Sequence, residues 1–212
     1  MKEQDYDRLL HIKTEGGQQG FNRSFHYHRY EATPYSALDI LFQDYKLAGT
    51  DRLVDFGCGK GRLVFYSHYL FQASGTGVEM NEDLYEEALR NAETYVKKSR
   101  KSRGMLQFEC SLAEEYSIKA EENCFYFFNP FSIQVFRNII ANILLSVEEH
   151  PRTADIVLYY PSEDYIFFLE NYTSFELEKE VELPESSHDH NERFLIYRLK
   201  SIKALSLIVL NI

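Results

Sequence analysis

Residues 53–62, LVDFGCGKGR, decide how the chain is read: Gly57, Gly59 and Gly61 stand at every second position directly after a run with the character of a buried strand. An acid, Asp55, lies two residues ahead of the first glycine. Glycine loses more backbone freedom on ordering than any other residue, so three in five positions point to a tight turn that something approaches closely. The sequence on either side indicates what that something is.

Outward from the turn, short apolar runs alternate with longer amphipathic ones, the pattern of a parallel sheet flanked by helices. RLVDF reads as a strand, GRLVFYSHYLFQA as a helix that starts at the turn, and GTGVEM as a second strand. NEDLYEEALRNAETYVKKSR opens on Asn81 as an N-cap with acids in its first turn and ends on a basic cluster, which suits the helix dipole at both ends. MLQFEC and CFYFFN are a third and fourth strand, SIQVFRNIIANILLSVEEH is a helix capped by Ser132, and ADIVLYY is a fifth strand stopped by Pro161. SFELEKEVEL and RFLIYRLK alternate apolar and polar residues around PESSHDHNE and read as an antiparallel pair, so five β/α units are followed by a hairpin-like closure. Upstream, a glycine-bearing stretch, TEGGQQGFNRS, precedes a helix from about Thr33, with Pro34 in its first turn. The expected division is an N-terminal helical cap (1–50), a ligand-binding domain (51–200) and a tail (201–212).

The 212 residues suffice for one domain with a substantial core. With 23 Lys and Arg against 33 Asp and Glu, the net charge of −10 disfavours nucleic acid unless the basic residues gather on one face. Three cysteines without a CxxC pair argue against a disulfide framework and a cysteine-based zinc site. The charged start MKEQDYDRLL lacks a signal-peptide core, and no run approaches the roughly 18 apolar residues of a membrane span, so a cytoplasmic protein is expected.

In an open parallel sheet, ligands bind beyond the carboxyl ends of the strands, and the first strand-to-helix turn is the usual cradle. There the backbone comes close to a ligand, and the N-terminus of the next helix offers N–H groups to a negative charge. Glu79 ends the second strand, 18 residues after Gly61, where a carboxylate can take both hydroxyls of a ribose. Together these features call for a nucleoside-containing cofactor. The dinucleotide fingerprint GxGxxG is not met, because the spacing is GxGxG and Arg62 stands in the place of the third glycine; a P-loop is not met either.

On these residues the chain resembles the class I S-adenosylmethionine-dependent methyltransferases, whose first motif, acid-x-Gly-x-Gly-x-Gly, is matched by Asp55, Gly57, Gly59 and Gly61. The resemblance covers roughly residues 30 to 200 and implies a doubly wound, mostly parallel α/β sheet of seven strands, the last antiparallel, with helices on both faces. It implies that the turn, Cys58 included, holds the methionine end of S-adenosyl-L-methionine, that Asp55 orients the turn and the bound amino group, that Glu79 takes the ribose and that Met80 lies against the adenine. Where the family often carries an acid after the third strand, this chain has Leu112 and Ala113, leaving backbone groups, Glu114 or Glu115 for the adenine amino group. Asn129, Pro130 and Phe131 stand at the family's catalytic motif with one proline fewer than in its amine-methylating branches. By that likeness Asn129 and the Pro130 carbonyl accept N–H bonds from an amine, Asn129 also borders the cofactor, and Phe131 packs on a flat substrate. Tyr30, Thr33 and Tyr35 are candidates to line the site by position.

Plainer readings accompany some of these signals. An Asn-Pro turn closes a strand without any catalytic role. KKSRKSR, at 97–103, is a basic helix end on a solvated face or a phosphate contact. HYH at 26–28 and HDH at 188–190 lack a further ligand at a recognisable spacing, so no metal is expected. The expected function is therefore methyl transfer to a nucleophile, with nitrogen preferred and a small-molecule or protein acceptor ahead of nucleic acid. The alternatives are a non-catalytic cofactor-binding module and, behind it, an NAD-dependent oxidoreductase.

Overall fold

The computed structural model describes residues 2–16, 31–98, 105–129 and 131–200. Its centre is β1 (Arg52–Phe56), flanked by β2 (Ser74–Glu79) and β4 (Cys124–Phe127), with β3 (Leu106–Cys110) beyond β2 and β5 (Ala154–Tyr159) beyond β4. These five strands run parallel. β7 (Arg193–Leu199) lies antiparallel between β5 and β6 (Glu176–Glu182), giving seven strands in the order β3-β2-β1-β4-β5-β7-β6. The expected sheet and its antiparallel last strand are thus present.

Burial explains the order. β4 and β5 are buried at every position, as strands covered on both faces must be. β6 carries Glu176, Glu178, Lys179, Glu180 and Glu182 on an outer edge, where charge discourages pairing with another chain. Helices cover both faces. On one side α1 (Glu3–Leu10), α2 (Tyr35–Asp44), α3 (Arg62–Phe71) and α4 (Glu82–Lys98) enclose a core that includes Leu38, Leu53, Phe65 and Tyr95. On the other, α5 (Ile133–Glu149) and α6 (Glu163–Tyr172) bury Phe56, Phe127, Phe136 and Leu169. Asn81 caps α4 as expected, its Oδ1 accepting the Leu84 N–H at 3.0 Å.

Two expectations are corrected. β3 and β4 are joined through a single 3-10 turn, Ala113–Glu115, so the β/α units with a full helix number four among the described residues. The segment after Pro161, read only as a strand stop, forms α6, capped by Ser162, whose Oγ accepts the Tyr165 N–H at 3.4 Å. No described helix is long and apolar enough to cross a membrane.

The strand order reverses between β1 and β4, the place where, in sheets of this kind, a crevice outside the carboxyl ends of neighbouring strands takes a ligand. The glycine turn sits at its edge.

Candidate active site

Gly57, Gly59 and Gly61 all have left-handed backbone, with φ of 80°, 53° and 85°, the region that non-glycine residues rarely enter. The turn is tied to the neighbouring strand: the Gly57 and Cys58 N–H groups donate to the Val78 carbonyl at 2.9 and 3.1 Å. Gly61 also answers to packing, because a Cβ there would lie 2.7 Å from Phe108 Cε1 and 2.9 Å from Phe65 Cε2. Cys58 is buried and turned toward β2, where its Sγ would lie 2.6 Å from a Cβ at Gly77.

Two carboxyl groups lie at this turn. Glu79 is buried and braces it, one oxygen accepting the Gly59 N–H at 2.9 Å and the other the Asn81 N–H at 2.8 Å. Burial pushes Glu79 above the usual carboxylate range while the N–H groups of Asn81, Gly59 and Met80 pull it back. A carboxylate has about four acceptor positions, so the two bonds leave capacity for hydroxyl donors. Asp55 is only 5 % exposed and no hydrogen bond to its carboxyl is formed among the described residues. Burial, and secondly the Glu79 charge, push Asp55 up to about 8. A buried acid without a donor is costly unless a cation or donor meets it, which is what a ligand's ammonium group would do.

At the end of β3, Leu112 is partly exposed and Ala113 is buried in the core. The residue before them was not singled out by sequence reasoning. The Ser111 hydroxyl is buried without a hydrogen-bond partner among the described residues, while its N–H donates to the Glu79 carbonyl at 3.2 Å. Its signal was only its place, one position ahead of Leu112. Met80 is half-buried where the chain leaves β2.

On the far side of the crevice, Asn129 has a left-handed backbone, φ 37°, as does Tyr160, φ 51°. Because Phe127 pairs with Leu158, the two residues stand at the same level past the ends of β4 and β5. Strained backbone of this kind in side-by-side positions is characteristic of functional edges. Tyr160 donates its hydroxyl to Asp189 at 2.6 Å, and the neighbouring Tyr159 donates to Glu192 at 2.7 Å. Tyr160 was missed because adjacency to Asn129 follows from strand register, which a sequence does not print. Phe131 is placed differently from a substrate-packing ring: it is 2 % exposed within the core, and its backbone is clamped by Tyr165, whose hydroxyl donates to the Phe131 carbonyl at 2.6 Å. Pro130 lies outside the described residues.

The N-terminal segments close onto the turn through Arg62. Its Nε donates to Thr14 Oγ1 at 2.8 Å, its Nη1 to the Thr33 carbonyl at 3.0 Å and to Glu3, and its guanidinium lies 4.4 Å from the Tyr35 ring centroid. The Thr33 hydroxyl bonds the hydroxyl of Tyr126, the residue paired with Asp55 across β1 and β4, at 2.7 Å. Thr33 is therefore beside the crevice. Tyr35 is not: it is fully buried, with its hydroxyl donating to Asp7 at 2.8 Å, because it serves as the floor for Arg62. Tyr30 and the HYH histidines lie outside the described residues. His188 and His190 are exposed, and among the described residues no group of three metal-binding side chains converges.

No known family profile matches the sequence, and no curated protein is similar to it. Solved structures do match. An RNA methyltransferase from Salinibacter ruber in complex with S-adenosyl-L-homocysteine is 20% identical, covering 79% of this chain and 92% of that one, with a TM-score of 0.55. The tRNA (uracil-54, C5)-methyltransferase of Pyrococcus abyssi, also with S-adenosyl-L-homocysteine, is 17% identical over 80% of this chain and 39% of its own, with a TM-score of 0.54. The geranyl diphosphate C-methyltransferase of Streptomyces coelicolor A3(2), in complex with Mg2+, geranyl diphosphate and S-adenosyl-L-homocysteine, is 11% identical over 79% and 78%, with a TM-score of 0.53. The chain has the Rossmann-like fold that these methyltransferases share.

Proposed function

We propose that the protein is an S-adenosylmethionine-dependent methyltransferase acting on a nitrogen nucleophile. The observation that carries this reading is the buried carboxyl of Asp55, to which none of the described residues donates, beside three left-handed glycines, with Glu79 at the end of the adjacent strand. That set fits a ligand with a cationic amino-acid end and a ribose. Solved relatives of the same fold hold S-adenosyl-L-homocysteine, which supports the choice.

When bound, the cofactor supplies an electrophilic methyl on sulfonium. The chain's own part is to bind and to aim. Asp55 takes the ammonium group, the Gly57–Gly61 turn lets the methionine end approach, Glu79 accepts the ribose hydroxyls, and Met80, Ser111 and Leu112 border the adenine. Ser111 there replaces the acid that the family often carries, its hydroxyl, unpaired among the described residues, serving a ring nitrogen or the amino group. Displacement needs a lone pair in line with the breaking bond, so positioning the acceptor contributes most. Asn129 supplies it with a side-chain carbonyl for an N–H, on a backbone held by the Tyr165 clamp two residues later.

The test is incubation of the full chain with methyl-labelled S-adenosylmethionine and a panel of amines, proteins and RNA, with the labelled atom located by mass spectrometry. Methyl on nitrogen that disappears in Asn129→Ala, with cofactor binding retained, is the expected result. Undiminished transfer by that variant removes Asn129 from the mechanism, and methyl found on carbon overturns the nitrogen assignment.

A further inference from the structure

The basic residues near the end of α4 are exposed, as a solvated helix end requires, and they also face a second basic segment. Arg90, Lys97 and Lys98 form one wall of a groove whose other wall, supplied by α1 and the segment after it, carries Arg8 and Lys13. Five cations from segments about eighty residues apart in sequence thus converge on a concavity of about 910 Å3, in a chain whose net charge is −10. Two acids, Asp7 and Glu87, also line it. Both are engaged elsewhere: Asp7 accepts from Thr14 and Tyr35, and Glu87 pairs with Lys60 Nζ at 2.9 Å. Arg8, Arg90 and Lys97 lean on Asp5, Glu86 and Glu93 at 3.4, 3.3 and 4.0 Å. All of these pairs are largely exposed, so they are worth little and exchange readily for a stronger anion. Lys13 and Lys98 have no side-chain partner among the described residues.

We infer that this groove is a docking site for the phosphodiester backbone of a single nucleic acid strand. A polyanion is selected by the charge, and a linear one by the shape. From Arg90 to Lys98 the helix rises about 12 Å, so the cations of this wall are set out in a line along the concavity of about 910 Å3. A duplex, whose major groove alone is about 12 Å wide, does not enter it. A membrane surface, being flat, meets only the rims. The aliphatic stems of the lysines and arginines form a floor for sugars while their heads reach phosphates. A trench of this length spans about three phosphates at the spacing of a nucleic acid strand. The net acidity of the chain counts against nucleic acid only if its cations are dispersed, and here five of the 23 are gathered in one groove. This inference does not depend on the methyltransferase reading, since the groove lies between α1 and α4 and uses none of the crevice residues.

The test is fluorescence anisotropy of a labelled, unstructured oligouridylate titrated with the full chain. Three neutralised phosphates predict a slope of about −2 for log affinity against log salt, a loss of roughly 20-fold between about 50 and about 200 mM. The triple variant Arg90→Ala, Lys97→Ala, Lys98→Ala should weaken binding at least tenfold at the lower salt and flatten the slope. The double variant Lys179→Ala, Lys200→Ala, which removes two positive charges elsewhere, should leave binding unchanged, and thermal melting shows that both variants are folded. No binding by the wild-type chain, or equal binding by the triple variant, overturns the proposal. So does preference for a duplex, or for phosphatidylserine vesicles over the oligonucleotide.

Discussion

Replacing Asp55 by Asn should stabilise the protein while disabling its site. The Asp55 carboxyl is pushed from an ordinary value of 3.8 up to about 8 in the folded chain, chiefly by burial and then by Glu79. Between those two values the unfolded chain has released this proton and the folded chain still holds it. Raising the pH across that window therefore favours unfolding, and the loss levels off above the folded value. At about 1.4 kcal/mol per pH unit, the full cost is on the order of 5 kcal/mol. Asn has nearly the same shape and no proton to release, so the variant escapes that cost. Urea unfolding at a series of pH values from acid to mildly alkaline reads it directly: the two proteins should be nearly equal near pH 4, with the variant pulling ahead steadily to about pH 8. In thermal melts the difference above that point should reach on the order of 10 °C. Binding of S-adenosylmethionine should fall sharply in the same variant, because the cation loses its carboxylate. A stability gap that does not change with pH would show that Asp55 is not a buried protonated acid, and the case for it as the cation's partner would fail.

Other perturbations probe the supports around the site. Gly61→Ala forces a left-handed backbone on alanine and drives its Cβ into Phe108 and Phe65, with an expected loss of roughly 2–4 kcal/mol measured by denaturant unfolding; an unchanged midpoint would refute the close packing. Tyr165→Phe removes the donor to the Phe131 carbonyl, costing about 1–2 kcal/mol and lowering the rate of methyl transfer more than the affinity for cofactor. Arg62→Leu strips Thr14, the Thr33 carbonyl and Glu3 of a common partner, and should both lower stability by about 2–3 kcal/mol and speed proteolysis within residues 2–16. Equal proteolysis in variant and wild type would mean that Arg62 does not hold this segment.

Much of this architecture was legible in the chain. RLVDF, CFYFF and ADIVLYY announce strands buried on both faces, and the acids and lysines at opposite ends of NEDLYEEALRNAETYVKK announce a helix, because local pattern and tertiary burial agree there. The glycine turn was legible for the same reason: its conformation is required locally. α6 escaped notice because Pro161 reads as a stop, while EDYIFFLENY has apolar residues on several sides. Phe131 read as a ring that packs on a substrate because nothing local shows that α5 and α6 close over it. The pairing of Asn129 with Tyr160 depends on strand register, and the clustering of Arg8 and Lys13 with Lys97 and Lys98 depends on where α1 docks. The glycines also proved to serve two purposes. Gly61 makes room for Phe108 as much as for a ligand, a distinction visible only once β3 is in place.

The central claim, that the glycine turn with Asp55 and Glu79 binds S-adenosylmethionine, is tested most directly by calorimetric titration of the folded full chain with that compound and, separately, with NAD. One molecule of S-adenosylmethionine bound per chain, with a proton released at neutral pH as Asp55 ionises and no binding of NAD, is the predicted result. No heat with S-adenosylmethionine, or binding of NAD in its place, would contradict it.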